Sequence, residues 1–497
     1  MNNNAYTRFY RDFLCYKKFL SEIFPRDSLV SIGEKKIHIV ISPWMGTAVP
    51  WYSITIGLLL SKKNYNVRFI LDDLPFGQSV SFFVFQKRLI GMILYRINLN
   101  FGIKWSALSD YPSEDIPIND DLVNKIGQLN SIHFTKGELN REKRAAYEEK
   151  IKPQLVDAQK LYKACIDVES PKKFLLPGGI WGNSGILMQL CKESDIEVAT
   201  YDSGDELVLF SHNGVASQLN DIPSVFHKIW SNKEERNFAR DSGKDFLINR
   251  MNGLDGEFSF FNENSLTISE DGFYLMLLNS VWDSAALGLH TVYTSYFEWV
   301  ISSINWVLDN TTSKIVIRKH PAERLPSLDN TDNYLYRIEN LYKNTSRVIF
   351  IDSSQDISSY QLIKRAKCVL GFSSTAIVEA VALGVPSIIT SSAYYADLGV
   401  AYTAYSEAQY HHYLREAANK RLYVSDEMQT RACVINHITQ RCNWVKTKFT
   451  PQPQNFQVWV RYKSIEPLES DLVMQALVEN TPTSYLKHKL FFTTAIN

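Results

Sequence analysis

The chain has 497 residues, with 53 Lys and Arg against 53 Asp and Glu, 45% hydrophobic and 21% charged residues, and 13% aromatics. Zero formal net charge excludes attachment to nucleic acid by bulk charge, which needs a basic excess or stripe, and leaves open a local basic pocket. The length points to two or three domains with cores of their own, and the composition is globular, not disordered. Six scattered cysteines without a CxxC pair argue against zinc or iron–sulfur ligation and against a disulfide framework. The N-terminal stretch lacks the apolar segment of a signal peptide, and no apolar run reaches bilayer length, so a cytoplasmic chain is expected.

Residues 1–35 read as an amphipathic helical lead-in. Phe9, Phe13, Tyr16, Phe19, Leu20 and Ile23 recur at spacings of three and four, with Arg8, Arg11, Lys17 and Lys18 between them. Docking on the body of the protein is expected ahead of membrane-surface contact. Strand Ile37–Ile41, a small-residue turn, a helix over 50–63 and strand Val67–Leu71, ending in Asp72-Asp73, make one βαβ unit. Residues 79–105 carry four basic residues, no acidic ones and many aromatics. Lys87, Arg88 and Arg96 rule out a spanning helix there and favour a buried or acceptor-facing one, with a membrane-surface patch as the second reading. A mainly helical insertion follows over 105–168. Strand Lys173–Leu176, the turn Pro177-Gly178-Gly179, a helix over 184–194 and strand Glu197–Tyr201 form a second unit. The first half is therefore expected to be doubly wound around a mostly parallel sheet.

The polar, glycine-bearing stretch 231–265 is the expected boundary, giving domains over 36–255 and 256–445. In the second, strand 272–278, a helix over 292–309, strands Lys314–Arg318 and Arg347–Ile351, helix Ser358–Arg365, strand Cys368–Gly371, helix 375–383 and strand Pro386–Thr390 repeat the α/β alternation. The tail 446–497, with strand Phe456–Tyr462 and helix Glu469–Val478, is expected to pack back on the first domain.

Two strand ends in the second domain carry the chemistry. Ile315-Val316-Ile317 runs into Arg318-Lys319-His320-Pro321, and open α/β sheets bind ligands at strand carboxyl ends. Two cations and an imidazole suit a phosphate, although a solvated basic strand end with a structural His also accounts for them. Cys368–Gly371 leads to Ser373-Ser374-Thr375 at a helix start, with Glu379 one turn in. Hydroxyls and N–H groups there suit a phosphate, and Glu379 suits ribose hydroxyls or the helix dipole; the N-cap of a core helix is the plain alternative. No GxxxxGK[ST] or GxGxxG fingerprint occurs. In the first domain, Asp202, Asp205 and Glu206 cluster after a strand end, where a carboxylate can act as general base; Asp205 is favoured, then Asp202. Gly46 and Thr47, and Gly179 with Trp181, are cleft-lining candidates, the glycines by close backbone approach and Trp181 by stacking on a sugar. Asp283 and Ser284 occupy the matching loop of the second domain. The histidines, His411-His412 included, lack metal-ligand spacing, so no metal and no cofactor is expected.

RKHP (318–321) taken with GFSSTAIVEAVALGVPSI (371–388) resembles the nucleotide-sugar-binding half of GT-B glycosyltransferases. The likeness is greatest to the bacterial capsule-polysaccharide-synthesis group, which includes Kdo transferases and relates to the His-Pro sialyltransferases. It covers the architecture of 36–440 and is specific over 314–390. It implies an α/β GT-B fold, two Rossmann-like doubly wound domains facing a cleft. It also implies a donor phosphate held by His320, Ser373, Ser374 and Thr375, beside Arg318, Lys319, Pro321 and Glu379, without a metal. An acid of the first domain serves there as base or nucleophile. Asp202-Ser203-Gly204-Asp205-Glu206 departs from the family's Asp/Glu-Asp/Glu-Gly, so the three acids stay open. The implied function is sugar transfer from a nucleotide-activated donor to a glycan or lipid-linked glycan of bacterial capsule or lipopolysaccharide, with a CMP-linked acidic sugar such as Kdo or sialic acid favoured. The implied setting is the inner face of the cytoplasmic membrane, with peripheral membrane contact and no nucleic acid partner. The alternatives are a glycerophosphotransferase of teichoic-acid type using CDP-glycerol, and a glycan- or nucleotide-binding scaffold without turnover.

Overall fold

The computed structural model describes residues 3–24, 33–204, 207–254, 272–325, 331–355, 357–448 and 464–496. The described strands are β1 (Lys35–Ile41), β2 (Tyr65–Leu71), β3 (Lys104–Ala107), β4 (Lys173–Pro177), β5 (Glu197–Gly204), β6 (Leu207–Ser211), β7 (Phe273–Leu277), β8 (Ile315–Arg318), β9 (Val348–Ile351), β10 (Ala366–Gly371), β11 (Ser387–Ile389), β12 (Tyr402–Thr403) and β13 (Val445–Lys446). They form two sheets, in the orders β13-β6-β5-β4-β1-β2-β3 and β12-β11-β10-β7-β8-β9. The second sheet is wholly parallel. The first is parallel from β3 to β5, with β6 and β13 antiparallel at one edge. Parallel strands are covered by helices on both faces, which explains the near-continuous apolar runs of β1, β7 and β8. Ile37, Ile39 and Ile41 face one layer, with Trp51 and Leu58 of helix Val49–Lys62, while Val40 faces the other, with Ile126 and Leu155. The two Rossmann-like α/β domains expected from the sequence are present.

The lead-in forms helix Asn3–Ile23, and Phe9, Tyr16 and Phe19 bury themselves in the first core around Trp51. Residues 104–107, read as the start of a helical insertion, instead pair with β2 as an edge strand. Lys-Trp-Ser-Ala lacks the apolar run by which the equally short β8 and β9 can be read. Two corrections concern domain limits. Ile222, Val225 and Phe226 of helix Ile222–Ser231, and Ala239 and Leu247 of helix Lys233–Met251, share a core with Leu275, Val316 and Val369. The boundary expected near 255 therefore precedes residue 222, because the apolar stripe of Ile222–Ser231 is buried with the second sheet. The tail divides. Helix Leu472–Glu479 reaches the first domain, where Tyr65 Oη donates to Leu477 O at 3.2 Å. Helix Thr483–Ile496 instead meets the turn His437–Cys442, with His437 Nε2 and His488 Nδ1 3.0 Å apart. The strand expected over 456–462 lies outside the described residues.

A clasp joins the domains. Asp332 accepts the backbone N–H of Glu138 and, at 3.0 Å, that of Leu139. Glu138 Oε2 accepts from Tyr296 N–H at 3.0 Å and from Tyr334 Oη at 3.1 Å. This clasp ties the turn between helices Asp120–Thr135 and Arg141–Glu169 of the first domain to the starts of helices Tyr296–Asn310 and Tyr334–Tyr342 of the second.

Candidate functional site

A cavity of about 510 Å3 opens where β7, β8 and β10 end. Lys319, His320 and Pro321 line it from the end of β8, and Ser374 and Thr375 from the turn after β10, so two motifs distant in sequence meet in one place. Leu277, Leu278, Leu325 and Ile363 make much of the remaining wall apolar. Apolar walls with a few convergent polar groups suit a nucleoside carrying a phosphate.

His320 caps the short turn Pro321–Arg324: its Nδ1 accepts the Ala322 N–H at 3.3 Å. That acceptor role leaves the proton of a neutral ring on Nε2. Burial lowers the His320 pKa from its ordinary value; nearby Asp283 raises it and Arg318 lowers it further. The ring is therefore a neutral hydrogen-bond donor near pH 7. Lys319 Nζ lies 3.5 Å from Glu323 Oε2 and keeps a cation at the cavity.

Two predicted phosphate ligands have other occupations. Arg318 is only 2% exposed, and its guanidinium donates to Asp352 O at 2.6 Å, Gln355 O at 3.3 Å and Ile357 O at 3.2 Å. It organises the loop after β9 from within the cavity wall. Ser373 does not line the cavity. Its N–H donates to Asn279 Oδ1 at 3.3 Å, and its hydroxyl oxygen is buried. Ser374 Oγ accepts the Ala376 N–H at 3.3 Å, just before helix Ala376–Ala382.

Glu379 is buried in the wall, where Oε1 accepts from Arg250 at 3.0 Å and Oε2 from Tyr360 Oη at 3.0 Å. Arg250 and Tyr360 line the cavity too, and sequence reasoning missed both. Neither stands at a strand end, and Arg250 comes from a helix assigned to the other domain.

In the first domain a smaller cavity lies at the ends of β1, β2 and β4, lined among others by Trp44, Asp72, Tyr162, Trp181 and Asn183. Asn183 Nδ2 donates to both Asp72 oxygens, at 3.1 and 3.2 Å, and Leu74 N–H approaches Oδ1 at 3.4 Å. Burial outweighs these bonds and pushes the Asp72 carboxyl up to about 7. For its neighbour Asp73 burial also acts upward, but hydrogen bonds from Lys87 and Ser109 hold that carboxyl below its ordinary value. Adjacent carboxyls driven apart in this way are a pattern of acid–base sites. The sequence showed Asp72 only as a strand end; its partner Asn183 lies 111 positions on.

Gly46 and Thr47 shape a turn and do not line this cavity. The Gly46 N–H donates to Gln86 Oε1 at 2.6 Å, and Thr47 Oγ1 donates to Trp44 O at 2.7 Å. Gly179, at φ +108°, packs on Met188, Thr200 and Val215 and is structural as well. Trp181 does line the cavity, and its ring stacks on His133 at 4.6 Å. His133 Nδ1 in turn meets Trp282 O of the second domain at 3.0 Å. Asp283 turns the adjacent loop by accepting the Ala285 N–H at 3.1 Å, and Gln218 donates to Ser284 O at 3.4 Å. Trp181, Asp283 and Ser284 thus gather where the two domains meet. Rossmann-like domains joined across facing strand-end loops are the GT-B layout.

The acidic cluster contributes less. Asp202 is exposed opposite Leu209 on the β5–β6 hairpin and lines neither cavity. Asp205 and Glu206 lie outside the described residues. Among the described residues, no group of three or more His, Cys, Asp and Glu is placed to hold a metal.

No family model and no curated protein matches the chain. Solved structures similar to it include KpsC, a beta Kdo 2,7 transferase of Thermosulfurimonas dismutans, at 11% identity over 58% of this chain and 83% of that one, TM-score 0.34. A glycosyltransferase of Rickettsia africae is similar at 11% identity over 90% and 99%, TM-score 0.28. UDP-GlcNAc 2-epimerase of Methanocaldococcus jannaschii is similar at 13% identity over 82% and 99%, TM-score 0.25. These likenesses bear on neither substrate nor chemistry.

Proposed function

We propose that the chain is a metal-independent glycosyltransferase of bacterial surface-polysaccharide assembly. It moves a sugar from a nucleotide-activated donor, with a CMP-linked acidic sugar such as Kdo or sialic acid favoured, to a glycan or lipid-linked glycan. The observation that carries this reading is the meeting of His320-Pro321 with Ser374-Thr375 in one cavity at the ends of parallel strands. The His320 Nε2–H, the Lys319 ammonium and the two hydroxyls hold the donor phosphate. Electrostatic stabilisation of the departing nucleotide's charge is the largest catalytic contribution. The Arg250–Glu379–Tyr360 wall takes the nucleoside, its carboxylate accepting from hydroxyls. The acceptor lies toward the first-domain cavity, where Asp72, by its position and raised pKa, takes its proton; Asp205, Asp202 and Glu206 remain the alternative bases that the family resemblance implies.

The test is a thermal-shift screen with CMP, CDP, UDP and GDP, followed by transfer from the matching activated sugar. A nucleotide at a hundred times its Kd stabilises by about 2.7 kcal/mol, a clear shift that His320→Ala and Ser374→Ala should each diminish. Turnover of CDP-glycerol in place of a sugar donor would select the glycerophosphotransferase. The reading falls if no nucleotide binds, or if both variants leave binding and transfer intact.

A further inference from the structure

Helices Asn3–Ile23 and Val80–Phe101 run parallel, side by side, on the outside of the first domain. Tyr6 Oη donates to Ser81 Oγ at 3.1 Å, and Arg96 donates to Ser21 Oγ at 3.0 Å, both pairs 75 positions apart. Their inner faces enter the core through residues such as Phe9, Phe13, Phe82, Ile90 and Ile93. A surface helix ordinarily turns a polar face outward. Here the outward stripe, spaced by three and four residues, is Val80, Val84, Arg88, Met92, Tyr95 and Leu99, and its five uncharged members are 52–66% exposed. Tyr10 and Leu14 of the neighbouring helix are exposed as well. An apolar row of this length on a water-facing helix marks a contact surface.

Charge indicates what covers it. Helix Val80–Phe101 holds Arg88, Arg96 and Lys87, the last paired with the buried Asp73 at 2.8 Å, and no acid of its own. Helix Asn3–Ile23 adds Arg8, Arg11, Lys17 and Lys18 against a buried Asp12 and a single exposed acid, Glu22, paired to Lys18 at 3.7 Å. The chain as a whole is neutral, so this face carries a local cationic excess. A second copy seated on it about a two-fold axis would set cations against cations. No described helix is long and apolar enough to cross a membrane.

We propose that this paired-helix face seats on an anionic bilayer surface, its apolar stripe in the headgroup–acyl boundary and its flanking cations on lipid phosphates. The placement has a consequence for the acceptor, which rests on the transfer reading above. The stripe begins beside the first-domain cavity: Gln78 and Phe83 line it, and Gln86 holds the Gly46 turn. A lipid-linked acceptor would then reach the cavity along the membrane. Vesicle binding does not depend on that reading, so the two fail separately.

The experiment is flotation of the full chain with phosphatidylglycerol-containing vesicles and with pure phosphatidylcholine vesicles, at low and high salt. The chain should float with the anionic vesicles, weakly with the neutral ones, and less as salt rises. The triple variant Met92→Ser, Tyr95→Ser, Leu99→Ser and the double variant Lys17→Glu, Lys18→Glu should each lower vesicle partitioning by about tenfold or more, with wild-type circular dichroism and melting. The proposal is overturned if the wild-type chain stays off anionic vesicles or if folded variants float as it does. It is equally overturned if light scattering shows a lipid-free dimer that the triple variant abolishes, which would make a second copy the occupant.

Discussion

Arg318 and His320 leave the same strand end two positions apart and face different partners. Replacing Arg318 by Ala strands the buried carbonyl of Ile357 and removes the donor to the part-buried carbonyls of Asp352 and Gln355. A buried unsatisfied group costs about 1–3 kcal/mol, so urea melts should show a loss of roughly 2 kcal/mol. His320→Ala removes one cap, at about 1 kcal/mol, and should act mainly on nucleotide affinity. If Arg318→Ala melts like wild type and loses only affinity, its guanidinium serves the phosphate after all. The sequence shows both residues at the right strand end and cannot show which turns inward, because the carbonyls that hold Arg318 arrive from the loop after β9. Glu379 repeats the lesson: its helix is legible, whereas Arg250 and Tyr360 come from elements that only the fold brings near. Asp72 gives the pH prediction. Its carboxyl is raised from 3.8 to about 7, so the folded chain holds that proton more tightly than the unfolded one. Stability from this group is therefore lost as pH rises through that window and stays level above it. Asp72→Asn should gain on wild type in melting temperature across the window, by a free energy of at most roughly a few kcal/mol. A constant difference between the two proteins at all pH would show that Asp72 titrates normally.

At the scale of elements, apolar strands and strongly periodic helices are legible, and β3, β12 and β13 are not, since they lack the apolar run by which the equally short β8, β9 and β11 can be read. The misplaced domain boundary has a different cause. Helix Lys233–Met251 reads as a polar linker because its buried face includes Ala239, Ser242 and Gly243 rather than large apolar side chains. Small residues serve there because helix Asp426–Asn436 crosses at backbone distance: a Cβ on Gly243 would lie 1.9 Å from Cys433 O. A backbone carbonyl cannot rotate away as a side chain does. Gly243→Ala, conservative for a helix interior by propensity, should therefore destabilise by about 2–3 kcal/mol or more through overpacking. Thermal melts of Gly243→Ala beside Gly91→Ala supply the contrast, because a Cβ at Gly91 meets nothing within 4 Å and replaces a poor helix former. Equal melting of the two variants would refute the close crossing.

At the scale of the molecule, the proposed donor and acceptor cavities belong to different domains, and the proposed transfer depends on how those domains are held. The clasp at 136–139 fixes that relation, and Gly137 is its tightest point: a Cβ there would lie 2.4 Å from the Asp332 carboxyl. That carboxyl accepts the Glu138 and Leu139 N–H groups, so an added methyl displaces the acceptor of both. Gly137→Ala should therefore shift one domain against the other without entering the cavity formed by His320, Ser374 and Glu379. Nucleotide affinity, measured by titration calorimetry, should stay within about twofold of wild type. Transfer should fall by tenfold or more, because a misplacement of about 1 Å between reacting groups can cost about a hundredfold in rate. A parallel loss of affinity and transfer would mean that the second domain does not bind donor independently. Unchanged transfer would mean that the clasp does not set the catalytic geometry. The split between binding and rate separates a two-domain transferase from a scaffold that only binds nucleotide.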